Sequence, residues 1–169
     1  NLLTKDCNLD CKNCSLFNLH SSFYLPFEQA HKIICCSKYL IDVSSKQIKQ
    51  KIYKEPVYPN IRLSTLTNTL NPKVIGLSSV ARHKGSDILE QLLTFFPDYK
   101  FITCGSNKLG KEFKNIEYIG YVNYDEIHTK FYSISGISLR LAVYWEAFGM
   151  TIVEAFSNGI PVLVPYSDG

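Results

Sequence analysis

Two glutamates eight positions apart, Glu146 and Glu154, flank a glycine in Glu146-Ala147-Phe148-Gly149-Met150-Thr151-Ile152-Val153-Glu154-Ala155. Glu146 falls in the loop after an apolar strand pattern, and Glu154 falls a little over one turn into a helix that opens near Gly149. Both carboxylates can therefore face one cleft. Gly149 lets the backbone approach a ligand closely. The unpaired N–H groups of the first helical turn, with the positive end of the helix dipole, would receive a diphosphate. Gly159 suits the end of this helix, and Pro161 suits the start of the next strand. Taken singly, two glutamates, a lysine such as Lys84 or a turn glycine read as surface or capping residues, so the chemistry rests on their joint placement.

The elements that must hold these residues follow from the apolar pattern. Lys32–Cys36 reads as a short buried strand, and Ser37 is placed to cap a helix running to about Gln50. Pro56 and Pro59 bracket Val57-Tyr58 and disfavour both helix and central strand, which marks an extended connector. Beyond Pro72, strands are expected at Val74–Ser78, Lys100–Cys104, Ile116–Ile119, Gly136–Leu141 and Pro161–Val164. Helices are expected between them at Asp87–Phe96, Asp125–Tyr132 and Thr151–Asn158. This alternation predicts an α/β fold with a doubly wound parallel sheet. The expected organisation is the end of one domain over 1–55, a connector over 56–70, and a ligand-binding domain over 71–169.

These residues resemble the retaining GT-B glycosyltransferases of family 4, the glycosyl transferases group 1. The donor domain of that family carries two glutamates at this spacing, Phe-Gly shortly after the first, and Gly-x-Pro-Val after the second. Here these are Glu146, Phe148-Gly149, Glu154 and Gly159-Ile160-Pro161-Val162. Gly76 and Lys84-Gly85 resemble the family's phosphate-holding elements, Phe101–Gly105 its glycine-ended strand, and Ile119-Gly120-Tyr121-Val122 the segment lining the base. The strand and serine over 32–37 and Pro59-Asn60-Ile61 resemble the close of the acceptor domain. Leu77 stands where the family's arginine follows its glycine, so Arg82 would fill that role from a shifted position, and Ala147 replaces a common glycine.

The resemblance implies an incomplete Rossmann-like donor domain preceded by the tail of the acceptor domain. It implies a hexosyltransferase moving a sugar from a nucleoside diphosphate donor to a saccharide or lipid-linked acceptor, with retention and without metal or cofactor. Lys84, Arg82 and the amides of Gly149, Met150 and Thr151 would neutralise the diphosphate. Glu154 would hold the ribose, Glu146 the sugar hydroxyls near the reacting carbon, and Phe148, Tyr121 and Val122 would complete the donor site. As a fragment the chain is expected to be inactive.

Five of the six cysteines lie in the first 36 residues. Cys7, Cys11 and Cys14 have the C-x-x-x-C-x-x-C spacing that resembles radical S-adenosylmethionine enzymes, and zinc with His20 or Cys35 as a further ligand is a second alternative. Either would make the remainder a non-catalytic nucleotide-binding module. No Gly-Gly-Glu-type element follows, and a cysteine-rich loop is the preferred reading. The net charge of +3 is spread without a Lys/Arg block, which argues against nucleic acid and suits a phosphate-bearing ligand. With 46% hydrophobic residues, no apolar run of membrane-spanning length and a long cysteine-poor stretch, a cytoplasmic setting is expected, with peripheral membrane contact of a parent protein left open. The chain starts at Asn1, has Met150 as its only methionine and stops in the turn-like Tyr166–Gly169, so it reads as cut at both ends.

Overall fold

A computed structural model describes residues 30–47, 52–61, 70–142 and 146–165. Two compact units emerge: Asn1–Asn60 with Trp145–Phe148 and Gly169, and Ile61–Tyr144 with Gly149–Asp168.

In the first unit, helix α1 (Lys38–Gln47) starts where its cap dictates. The Leu40 N–H donates to Ser37 Oγ at 3.2 Å, satisfying a first-turn donor that has no intrahelical acceptor. Ile33, Cys35 and Ile41 form a small buried cluster. Among the described residues, the strand expected at Lys32–Cys36 is reduced to one parallel bridge, Ile33 with Ile52. The reason lies in its partner. Ile33 O accepts from Tyr53 N–H and Cys35 O from Val57 N–H, so two residues on one side face four on the other. The chain bends at Lys54-Glu55, and Pro56 has no N–H to continue the ladder.

The second unit carries a five-stranded sheet, ordered β3-β2-β1-β4-β5, with every pairing parallel. Its strands are β1 (Val74–Leu77), β2 (Lys100–Cys104), β3 (Ile116–Gly120), β4 (Ile137–Leu139) and β5 (Val162–Leu163). Helices α2 (Ser86–Phe95), α3 (Ile127–Lys130) and α4 (Met150–Ser157) provide the crossovers. Alternation along β2 shows how the two faces are covered. Phe101 packs with Leu77, Leu89 and Leu93, the side taken by α2. Ile102 and Cys104 pack with Phe131, Tyr132, Ala155 and Ile160, the side taken by α3 and α4. The sheet is thus buried on both faces, as a parallel sheet requires.

Several expected elements are shorter than their apolar patterns: the strand over Val74–Ser78 ends at Leu77, and the one over Pro161–Val164 is regular only over Val162–Leu163. The helix over Asp125–Tyr132 is confined to Ile127–Lys130 and gives way to a 3-10 turn at Tyr132–Ile134. Phe131 and Tyr132 are both 1% exposed, and consecutive α-helical residues point about 100° apart. Breaking the helix at Phe131 lets both rings enter the same core. The strand over Gly136–Leu141 is regular only over Ile137–Leu139, although Arg140 N–H still reaches Leu163 O at 2.9 Å.

Helix α4 ends in a Schellman arrangement. The Ile160 N–H bonds Ala155 O at 3.0 Å, the Gly159 N–H bonds Phe156 O at 2.9 Å, and Ile160 packs in the same cluster as Ala155.

Candidate functional site

In the second unit β1 is the central strand, with β2 and β3 on one side and β4 and β5 on the other. The chain therefore reverses its direction of travel across the sheet between β1 and β4. In open α/β sheets the crevice beyond the strand carboxyl ends at such a reversal is where ligands sit. The residues that emerge there follow from the strand ends: Ser78 after β1, Cys104 closing β2, Tyr121 and Val122 after β3, and the first turns of α4.

A cavity of about 240 Å³ occupies this position. Its wall is largely aromatic and aliphatic, and one carboxylate, Glu154, faces it. At its mouth Tyr121 is 80% exposed. The ladder between β2 and β3 shifts register after Thr103, pairing Cys104 with Gly120, and this releases the chain at Tyr121 from the sheet.

The Glu154 carboxylate is held. The Tyr132 hydroxyl donates to Glu154 Oε2 at 3.0 Å and lies 3.5 Å from Thr151 O. A phenol has one proton, and the shorter, charge-assisted contact takes it. Burial first, then the neighbouring Glu154 charge, raises the Tyr132 pKa far above the usual phenol value, so the hydroxyl stays protonated as a donor. Burial likewise pushes the Cys104 thiol up to about 11, with Glu154 adding to the shift, and its Sγ lies 3.6 Å from Ser78 O. A thiol in that state is a small apolar wall residue, not a nucleophile.

The backbone of α4 is also tied down. Asn158 Nδ2 donates to Glu154 O at 2.7 Å, which turns Asn158 Oδ1 towards His128 Nδ1 at 3.0 Å. His128 Nδ1 therefore carries a hydrogen. Both residues are buried, so this polar contact ties α3 to the end of α4.

At the other end of α4, Gly149 adopts φ 80° and opens the helix. The N–H groups of Ile152 and Val153 bond Gly149 O, and helix geometry leaves those of Met150 and Thr151 without an intrahelical acceptor. Beyond β1 the chain makes a 3-10 turn, Arg82–Lys84, closed by Lys84 N–H to Ala81 O at 2.8 Å. Gly85 ends this turn at φ 81° and starts α2. A Cβ there would lie 2.2 Å from Leu141 O, so only glycine lets the turn carrying Lys84 rest on the segment that follows β4. Lys84 is half-buried and Arg82 is exposed.

Of the residues expected at the site, Glu154, Thr151, Tyr121 and Val122 line the one cavity. Lys84, Arg82, Gly149 and Met150 belong to the same unit, on the turn after β1 and at the start of α4, outside that lining. Glu146 and Phe148 belong to the first unit. There the Phe148 ring lies 5.8 Å from Tyr58, and Glu146 Oε1 accepts from Ala147 N–H at 3.1 Å.

Sequence reasoning missed Ser78, Cys104, Tyr124, Ile127, Phe131 and Tyr132 as lining residues. For Ser78 and Cys104 a signal existed, since each stands at the carboxyl end of an expected strand. Tyr132 gave none, because its part depends on the break after α3.

Among the described residues, no group of three or more His, Cys, Asp or Glu side chains could hold a metal ion, and no helix is long and apolar enough to cross a membrane. Cys7, Cys11, Cys14 and His20 lie outside the described residues.

The profile of the family described as glycosyl transferases group 1 matches residues 59–169, well over half of the chain. No curated protein sequence matches it. Among solved structures, HepE of Anabaena, crystallised in complex with UDP and glucose, superposes with a TM-score of 0.65 at 19% identity, over 91% of this chain and 49% of that one. TarM superposes with a TM-score of 0.63 at 16% identity, over 86% of this chain and 31% of that one. The chain thus spans half or less of the length of these neighbours, and the likeness shows a shared fold.

Proposed function

We propose that this chain, which belongs to the glycosyl transferases group 1 family, forms the donor half of a GT-B enzyme that transfers a sugar from a nucleoside diphosphate. The observation that carries the proposal is the cavity at the strand carboxyl ends, whose aromatic wall holds a single fixed carboxylate, Glu154. A ribose offers two neighbouring hydroxyls to such a carboxylate, and a base offers a flat face to an exposed ring such as Tyr121. HepE, which shares this fold, was crystallised with UDP, and this supports a nucleotide as the ligand of this chain.

In this reading the diphosphate lies against the start of α4, where the Met150 and Thr151 amides meet the positive end of the helix dipole, and Lys84 supplies a cation, with Arg82 beside it. As the bond from the anomeric carbon to the diphosphate breaks, negative charge grows on the leaving oxygens. Donors already aimed at them lower the barrier without reorganising. Such a set of donors needs no divalent metal. Glu146 would hold the transferred sugar, in a retaining reaction on a saccharide or lipid-linked acceptor in the cytoplasm.

The experiment is a thermal-shift screen of the chain against UDP, GDP, ADP and S-adenosylmethionine, with and without EDTA. A nucleoside diphosphate should raise the melting temperature equally under both conditions. A shift with S-adenosylmethionine alone, or loss of the nucleotide shift in EDTA, would contradict the proposal.

A further inference from the structure

We infer that Tyr132 is a positioning residue for ribose recognition, orienting the Glu154 carboxylate so that the site prefers ribonucleotides to 2′-deoxyribonucleotides. The inference rests on the proposed role of Glu154 and goes beyond it by naming what gives that carboxylate its selectivity.

A glutamate half-exposed on a helix samples many rotamers, and ordering such a side chain for each ligand costs conformational entropy. Here one oxygen, Oε2, is already engaged by the Tyr132 hydroxyl at 3.0 Å. The hydroxyl is itself fixed. Its ring is 1% exposed, packed edge-on against Phe131 with centroids 5.1 Å apart, and 6.1 Å from the His128 ring. The Glu154 backbone is pinned independently through its carbonyl by Asn158. Both ends of the side chain are therefore set before a ligand arrives, both residues line the cavity, and a carboxylate has acceptor capacity on Oε1 and Oε2 beyond the one bond from Tyr132. Two acceptor directions fixed in one plane suit two adjacent hydroxyls. A freely rotating carboxylate would bind one hydroxyl nearly as well as two.

The phenol also remains a donor. Burial and the Glu154 charge keep it protonated through the working pH range, so it never competes with the ribose as an anion.

The test measures dissociation constants of UDP, GDP and ADP, and of their 2′-deoxy counterparts, for the wild-type chain, Tyr132→Phe and Glu154→Ala. Phenylalanine fills the same slot and removes one oxygen, and melting temperatures confirm that each variant is folded. For the best-bound base, Tyr132→Phe should weaken the ribonucleotide about five- to tenfold, because the ligand must then order the carboxylate itself, and weaken the deoxynucleotide less. The ribo-to-deoxy ratio should fall towards that of Glu154→Ala. Adding Tyr132→Phe to Glu154→Ala should change nothing further.

If Glu154→Ala abolishes the ratio while Tyr132→Phe preserves it, or weakens both ligands equally, the positioning role is wrong and the ribose reading of Glu154 survives. If Glu154→Ala leaves both affinities and the ratio intact, the reading on which the inference rests is itself wrong.

Discussion

Alanine at Gly85 should destabilise the second unit far more than alanine at Gly159, although both glycines have left-handed backbones, with φ of 81° and 70°. The conformational cost is common to both, about 1–2 kcal/mol for placing an L-residue there. The surroundings differ. At Gly159 an added Cβ meets nothing within 4 Å, whereas at Gly85 it lies 2.2 Å from Leu141 O and 2.8 Å from Leu141 Cβ. A backbone carbonyl cannot rotate away, and Leu141 is only 8% exposed, so relief requires lifting the Arg82–Lys84 turn from the segment after β4. Overpacking of this kind adds about 1–3 kcal/mol. Gly85→Ala should thus cost about 2–5 kcal/mol against about 1–2 for Gly159→Ala. Because that turn carries Lys84, any Gly85→Ala protein that folds should also bind a nucleoside diphosphate more weakly, while Gly159→Ala binds normally. Urea denaturation gives the stabilities, and calorimetry with UDP, GDP and ADP gives the affinities. Equal destabilisation at the two sites, or a larger effect at Gly159, would refute the contact between the turn and Leu141.

Stability should fall in alkali through Cys104. Burial raises its folded pKa from the usual 9.0 to about 11, so its contribution is complete below pH 9 and is lost as pH rises towards 11, by at most about 3 kcal/mol. Urea midpoints for wild type and Cys104→Ala over pH 8–11 check this, with a shallower decline expected in the variant. Asn115 Nδ2 donates to Leu93 O at 3.0 Å and Phe96 O at 3.2 Å, at the carboxyl end of α2. Asn115→Ala should therefore cost about 1–2 kcal/mol in a urea titration. Asn115→Asp should cost more, because it sets a negative charge against those carbonyls and the negative end of the helix dipole.

The sheet was legible in the sequence because its strands carry apolar side chains on both faces, as at Phe101–Cys104, and are separated by helix-length amphipathic segments. The ends of elements were legible where chemistry fixes them locally, as Ser37 does for α1 and Gly159 for α4. They were misread where long-range packing decides. Phe131 and Tyr132 break a helix to share one core, and the bend before Pro56 keeps the ladder from Ile33 from growing into a strand. The site divides in the same way. Glu154 and Thr151 announce themselves by their distance from Gly149, whereas Tyr132 reaches Glu154 across 22 residues and has no sequence signal of its own.

The most direct test of the account is calorimetry of Lys84→Ala, Glu154→Ala and Glu146→Ala in a protein containing both halves of the enzyme, with a free nucleoside diphosphate and with the corresponding nucleotide sugar. Lys84→Ala should weaken both ligands, by about 1.5–3 kcal/mol if it makes a charge-assisted hydrogen bond to the diphosphate. Glu154→Ala should also weaken both, since both contain the ribose. Glu146→Ala should weaken the nucleotide sugar and leave the free nucleotide almost unchanged. Free-nucleotide affinity unaffected by Lys84→Ala and Glu154→Ala, or reduced by Glu146→Ala as much as by Glu154→Ala, would contradict the donor site described for this chain.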